Sequence, residues 1–200
     1  MKYPPQLAPM LSAIREAGGR PLIVGGAVRD HLLGLESKDV DVEVYGLAFP
    51  ALHKTLHPFG VTAGGASFLV LHVDGIDVSV PRRDSKVGTS HRGFSVVGDP
   101  SMTPYEAARR RDFTVNSLIY DPETGGVLDY YGGHADLQRG MLRATDMETF
   151  GDDPLRVLRA AQFAARFEFS IDPATESLAQ RLDLSSLACE RVGEEWRKLL

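Results

Sequence analysis

The sequence contains a single cysteine, Cys189, so it can form neither an internal disulfide nor a cysteine-based zinc site. That scarcity points to a reducing compartment and a cytoplasmic location. Apolar runs break off within about ten residues, well short of the roughly 20 needed to cross a bilayer, so no membrane span is expected. Residues 1–20 have no continuous apolar stretch and no small-residue cleavage site, and no secretion signal is read there. The 6 histidines form no metal pattern: His53 and His57 have i,i+4 spacing but no adjacent glutamate, so no zinc is assigned. Basic charge is not in excess either. With 22 basic and 27 acidic residues the net charge is −5, which argues against a general polyanion-binding surface. The 12 prolines and 20 glycines follow no period, which excludes collagen-like, solenoid and linker-dominated chains.

What remains is a chain of 200 residues, 43% hydrophobic and 24% charged, long enough for one large domain or a medium one plus a small one. Leu7, Met10, Leu11 and Ile14 predict a first helix, stopped by Gly18-Gly19. Pro21–Val24 reads as a buried strand running into Gly25-Gly26, and Ala27–Leu33 as a helix ended by Gly34 in a left-handed cap. Asp39–Val44 alternates with period two, a strand with one apolar and one acidic face. A short helix follows at residues 50–59. Phe68–Val73 and Ile76–Val80 flank Asp74-Gly75, a type I′ hairpin signal that puts Asp77 and Ser79 on one face. Pro81–Pro104 reads as a long loop. Helix resumes at Tyr105–Arg110, then comes a mixed segment Phe113–Tyr120 and a glycine-rich connection through Gly132-Gly133. Asp153–Phe167 predicts a helix capped by Asp153 with Pro154 in its first turn, and a last helix is expected at Glu190–Leu200. On the first of these, Asp153, Arg156 and Arg159 share a polar side, while Val157, Leu158, Ala161, Ala164 and Ala165 form the packing side. Cys189 and Trp196 are expected to pack inside. Strands before residue 130 and helices after 150 give an α+β fold followed by a helical region.

Asp39 and Asp41 lie two apart on a strand, so both carboxylates leave one face, with α-carbons roughly 6.5 Å apart. Such a pair suits hard cations; magnesium is commonly held by one or two carboxylates together with substrate phosphates. By itself a D-x-D is more often a solvated strand face. Gly25-Gly26 upstream changes the balance, because glycine lets the backbone approach a ligand and the following helix start offers free amides to a phosphate. Arg29 adds a charged fork for the same phosphate. Asp77, from a neighbouring strand, is the candidate third carboxylate, as general base or further ligand, whereas Glu43 is expected to face solvent. Phosphates beside paired carboxylates imply a metal-assisted phosphoryl or nucleotidyl transfer.

The run Gly25-Gly26-Ala27-Val28-Arg29-Asp30, with Leu33-Gly34 and Asp39-Val40-Asp41, resembles the signature of the class II tRNA nucleotidyltransferases and bacterial poly(A) polymerases. Arg110-Arg111-Asp112-Phe113-Thr114-Val115-Asn116-Ser117 resembles their second motif; Asp129, Gly132-Gly133, Asp136-Leu137, Gly140 and Leu142-Arg143 resemble the third. Asp152-Asp153-Pro154-Leu155-Arg156 with Arg159 is similar to the nucleotide-selecting motif, and Glu190-Arg191 with Glu194-Glu195 to the fifth. The resemblance implies a polymerase-β-like head with a mixed sheet at 1–145, followed by a helical neck at 146–200. It implies Mg2+-dependent transfer of CMP or AMP from CTP or ATP to the 3′ end of tRNA without a nucleic-acid template. Asp39, Asp41 and Asp77 would be catalytic, with Asp39 and Asp41 holding metal. Gly25, Gly26, Arg29, Arg111 and Arg159 would hold the triphosphate, Asp112 and Asn116 the ribose or the surrounding network, and Asp153 and Arg156 the base edge. A carboxylate accepting from an exocyclic amine and an arginine donating to ring acceptors would favour cytosine and adenine over uracil and guanine.

Four positions depart from the family pattern: Asp152 stands where glutamate is usual, Gln162 where many relatives have a further arginine, and Glu43 and Tyr45 where many have small residues. The loop Arg82–Phe94, with Arg82, Arg83, Lys86, His91 and Arg92, occupies the place of the loop that helps choose between adding C and adding A. Narrower readings within the family are a CC-adding, A-adding or poly(A) polymerase, and a reading outside it is a catalytically idle nucleotide- or RNA-binding module. Relatives carry further helical domains, so the chain is expected to be a head and neck without its RNA handle, adding nucleotide poorly to tRNA on its own.

Overall fold

A computed structural model describes residues 1–37, 39–62, 69–86, 94–185 and 187–197. In chain order the elements are α1 (Leu7–Glu16), β1 (Arg20–Val24), α2 (Gly26–Leu32), β2 (Asp41–Tyr45), α3 (Phe49–Leu56), β3 (Val61–Thr62), β4 (Val70–Val73), β5 (Ile76–Ser79), β6 (Arg82–Lys86), β7 (Phe94–Gly98) and α4 (Pro104–Arg109). They continue with β8 (Ile119–Asp121), β9 (Gly126–Leu128), α5 (Gly133–Arg139), β10 (Met141–Leu142), α6 (Leu155–Phe167), β11 (Ser170–Ile171), α7 (Pro173–Ala179) and α8 (Cys189–Arg197). They form two compact units, one of residues 1–107 and 119–128, the other of 108–118 and 129–200.

The first unit is built on a seven-stranded sheet in the order β3-β4-β5-β2-β1-β8-β9. β2 pairs antiparallel with β1 and parallel with β5, so the sheet is mixed, as the α+β reading expected. Register decides what each face carries. Ile23 lies opposite Val42, Val42 opposite Val78 and Val78 opposite Leu71, which makes one face apolar and buried. The alternate residues Asp41, Asp77 and His72 fall on the other face. α1 buries Leu7, Met10, Leu11 and Ile14 and packs against α3 and β1, which bury Leu52, Leu56, Leu22 and Ile23. The turn between β4 and β5 has both central residues at positive φ, Asp74 at 49° and Gly75 at 76°, the type I′ geometry expected from Asp-Gly.

Residues 81–104 are not a plain loop. β6 and β7 pair antiparallel from Arg82↔Gly98 to Lys86↔Phe94. The polar stretch Arg82–Lys86 lacks the apolar alternation that marks a strand, so only its partner reveals it. Its root is pinned by Arg83, whose Nε donates to Asp99 Oδ2 at 2.6 Å and whose guanidinium lies 3.5 Å from Glu106. Hydrogen bonding from the Ser101 hydroxyl, then from Arg83, holds the Asp99 carboxyl down at about 2. Lys86 ends β6, while His91 and Arg92 lie outside the described residues.

The second unit has an aromatic centre. Phe113 meets Phe150 edge-on at 5.8 Å between ring centroids and Phe163 at 6.0 Å, with Phe113 and Phe150 fully buried. The expected glycine-rich connection contains α5 instead. Asp129 caps it from outside, its Oδ1 accepting from the Gly133 amide at 2.9 Å and its Oδ2 from the His134 amide at 2.9 Å. β10 and β11 form a short parallel pair, and α7 is N-capped by Asp172, whose side chain accepts from the Thr175 amide at 3.0 Å. α6 buries Leu155, Ala160, Gln162 and Phe163. This corrects the expected packing side: Ala161 and Ala165 are exposed, because the large Phe163 and Leu155 orient the helix and alanines add little. Cys189 is exposed, and Trp196 is 57% exposed, so neither packs inside as expected.

Candidate active site

In the first unit, β1 ends at Val24 and turns through Gly25, whose φ of 74° and ψ of −136° suit glycine, into α2. Gly26 follows, and a Cβ there would come within 3.4 Å of Arg29 Nη2, so the arginine folds back over the start of its own helix. Arg29 is only 4% exposed, and its Nε and Nη2 donate to Asp30 Oδ1 at 2.8 and 2.6 Å. The expected phosphate fork is thus a buried guanidinium already held by a carboxylate beside the glycine turn.

Val24 is the register partner of Asp41, which brings the strand leading into that turn alongside the first strand residue of β2. Asp41 is in turn the direct partner of Asp77 on parallel β5. Asp39 precedes β2 by two residues and is exposed, with its backbone carbonyl accepting from the Ser37 hydroxyl at 2.8 Å. The structure therefore brings Asp41 and Asp77 together on one face and leaves Asp39 on the connection into it. Asp77 is hydrogen-bonded to His72 of β4. Glu43 corrects the sequence expectation. It is 6% exposed rather than solvent-facing, because the Tyr45 hydroxyl, on the same side of the strand, donates to its carboxylate. Among the described residues no group of three or more His, Cys, Asp or Glu side chains is set up to hold a metal ion.

The second unit holds the remaining candidates. Asp112 is the hub: it accepts from its neighbour's amide, from Asn116 Nδ2 at 2.9 Å and from Arg159 Nε at 2.7 Å. Burial alone would raise its pKa, but the Arg159 charge and these hydrogen bonds outweigh that and hold it below the ordinary carboxylate value. Arg159 also lies over the Phe163 ring at 4.9 Å and 3.7 Å from Glu195 Oε1 on α8. Arg111 is half-buried just before Asp112, its amide bonded to the Ala108 carbonyl. Arg156 donates from Nη1 to the Thr149 carbonyl and from Nη2 to the Arg110 carbonyl, at 2.9 and 2.7 Å. Asp153 does cap α6 in part, its Oδ1 accepting from the Leu155 amide at 3.2 Å, while its Oδ2 is bound by Arg191 of α8 at 2.8 Å.

The residues of the third motif are architectural. Asp136 accepts from the Thr114 hydroxyl at 2.6 Å and from Arg143 Nε at 2.9 Å, and Asp129 caps α5. Gly133 is required by contact: a Cβ there would lie 2.1 Å from the Thr114 carbonyl oxygen. Sequence reasoning missed two polar contacts, that of His72 with Asp77 and that of Arg191, placed in the fifth motif but given no partner, with Asp153. His72 was accessible, because a two-residue turn at Asp74-Gly75 makes residues 72 and 77 cross-strand partners.

A mixed sheet bearing an acidic row beside a glycine turn into a helix is the architecture of a polymerase-β-like head. Residues 22–143 match the poly A polymerase head domain, and the chain belongs to that family. It is 42% identical over 187 residues to the Multifunctional CCA protein of Stenotrophomonas maltophilia strain K279a, covering 89% of this chain and 45% of that protein. It is 40% identical to the CCA-adding enzyme of Marinobacter nauticus, with 89% and 48% covered. The chain thus spans about half the length of the curated relatives it matches. Among solved structures, the Bacillus stearothermophilus CCA-adding enzyme in complex with CTP superposes with a TM-score of 0.80 at 26% identity, covering 98% of this chain and 49% of that one. The Thermotoga maritima CCA-adding enzyme complexed with tRNA gives a TM-score of 0.77 at 26% identity, with 99% and 48% covered.

Proposed function

We propose that this chain carries the catalytic head of an enzyme that transfers CMP and AMP from CTP and ATP to the 3′ end of tRNA without a template. The observation that carries the reading is the register Val24–Asp41–Asp77, which lines up the glycine turn and two carboxylates on neighbouring strands. The head would extend to about residue 145, near where the family match ends, with the neck beyond it. Cytoplasmic tRNA is the matching location and partner.

In this reading Asp77 accepts the proton of the terminal 3′ hydroxyl, whose oxygen bonds to the α-phosphorus of the nucleotide while pyrophosphate leaves. Asp39 and Asp41 would hold Mg2+. Two carboxylates make an all-oxygen donor set, which suits an ion that completes its shell with water and phosphate. When bound, the ion would neutralise charge on the phosphates and favour ionisation of the hydroxyl. Gly25 and Gly26 let the backbone approach the triphosphate, with Arg29 beside them. Arg111 and Arg159 would bind the triphosphate, with Asp112 and Asn116 setting the ribose or holding that network, and Asp153 and Arg156 would read the base edge. Base reading requires Asp153 to exchange Arg191, and Arg156 its carbonyl partners, for the nucleotide.

The test uses the full-length protein. Asp39→Ala and Asp41→Ala are expected to abolish incorporation of labelled CTP and ATP into tRNA with an unchanged melting temperature. Undiminished incorporation by either variant overturns the site. Supplying tRNA that ends at the discriminator base, or in CC, separates CCA addition from CC, A or poly(A) addition by product length. Nucleotide binding without any turnover would identify an idle binding module.

A further inference from the structure

His72 joins the acidic row through the sheet itself. On β4 it is the direct register partner of Asp77 on β5, and Asp77 is the partner of Asp41 on β2, so three adjacent strands present His72, Asp77 and Asp41 side by side on one face. The contact is between side chains, His72 Nδ1 to Asp77 Oδ1, and both are about half exposed, 49% and 48%. The Thr62 hydroxyl on β3 donates to the His72 backbone carbonyl at 3.2 Å, extending the ladder by one strand.

An exposed pair of this kind adds little to folding. Its consequence is geometric. Two carboxylates directly opposite on neighbouring strands repel, and an aspartate on an open strand surface can turn away from its neighbour. A ring donor fixed on the outer strand removes that freedom. We propose that His72 is a positioning residue for Asp77: by donating Nδ1–H to Oδ1 it fixes the carboxylate on the Asp41 row and leaves Oδ2 to take the proton of the attacking hydroxyl. The inference rests on the nucleotidyl-transfer reading above and extends it by a residue outside the family motifs.

The test compares His72→Ala, His72→Asn, Asp77→Asn and the double variant His72→Ala/Asp77→Asn in the full-length protein. Loss of the positioning contact is expected to lower kcat about tenfold in His72→Ala, with KM for CTP and ATP within about twofold and the melting temperature unchanged. Asparagine carries an amide donor near the position of Nδ1, so His72→Asn is expected to recover most of the loss. In the double variant His72→Ala is expected to add nothing to Asp77→Asn, a result that a merely structural histidine would not give. Wild-type kcat in His72→Ala, no recovery in His72→Asn, or losses that multiply in the double variant would each overturn the proposal. Asp41→Ala is measured alongside. If it is inactive while His72→Ala is unaffected, only the role of His72 fails; if it is active, the reading of the site fails.

Discussion

At the residue scale the decisive quantity is how each buried charge is satisfied. Asp112 is 9% exposed, and Arg159, Asn116 and the Phe113 amide all favour its ionised form. Its folded pKa lies below the ordinary value, so its contribution to stability is complete above about pH 4, where the unfolded carboxyl is also ionised. That contribution is lost as pH falls through the folded value. Asp112→Asn is expected to cost about 1–3 kcal/mol at pH 7, because Arg159 keeps its charge and loses its partner. The deficit should shrink on going from pH 4 to pH 2, as urea melts of both proteins at each pH would show; a constant gap would contradict this account. Glu43 is the companion case. Its burial was hidden in the sequence because alternation assigns a charge to the solvent side, while the Tyr45 hydroxyl two residues on makes burial tolerable. Tyr45→Phe is expected to destabilise by about 1–3 kcal/mol in thermal melts, since it strands that carboxylate. The shared face of Asp41 and Asp77 was legible for the opposite reason: strand periodicity and an Asp-Gly turn fix which way a side chain points without reference to the rest of the fold, whereas Asp39, expected on the same strand, lies before its first residue.

At the element scale, what could be read were the units with strong local punctuation. α1, β1, α2, the β4–β5 hairpin and α6 all have apolar periodicity bounded by glycine or proline. β6, β10 and β11 are short or polar and exist through their partners, and α5 is capped by Asp129, four residues before Gly133. The packed side of α6 was misassigned because its alanines look apolar, while its orientation is set by Phe163 meeting Phe113. Glycine illustrates the same division between local and tertiary causes. Gly60 has a φ of 78° but open space where a Cβ would go, so Gly60→Ala should cost only about 1 kcal/mol, the strain of the left-handed backbone. Gly133→Ala forces a Cβ to 2.1 Å from the Thr114 oxygen, and backbone cannot yield as a side chain does. It is expected to cost about 3 kcal/mol or more and to lower the melting temperature well beyond Gly60→Ala. Equal shifts in the two variants would remove the argument that the third motif is architectural.

For the whole molecule, the net charge of −5 conceals how the functional groups are distributed. The first unit contributes carboxylates and a glycine turn; the second contributes Asp112, Arg159, Asp153 and Arg156 in a network anchored by α8. On the proposed assignment, chemistry and choice of nucleotide are separable properties. A change in the acidic row should, on that assignment, slow addition of C and A alike, since metal-holding and proton-accepting carboxylates act on the phosphate and hydroxyl, which every nucleotide step shares. On the same assignment, a change at Asp153 or Arg156 should alter which nucleotide is used, because a carboxylate and a guanidinium can match an amino group beside a ring acceptor. Arg156→Ala also breaks two hydrogen bonds to backbone carbonyls, so its melting temperature must be measured with its activity. With full-length protein, Asp41→Asn is expected to lose activity by at least about a hundredfold both with CTP on tRNA ending at the discriminator base and with ATP on tRNA ending in CC. Asp153→Ala should instead keep measurable turnover while the preference for ATP over GTP falls by about tenfold or more, the scale of one lost hydrogen-bond match. Incorporation of each labelled nucleotide alone reads the first outcome, and competition between labelled ATP and GTP on tRNA ending in CC reads the second. If Asp153→Ala slowed every nucleotide equally and left the preference intact, base selection would have to lie elsewhere in the chain.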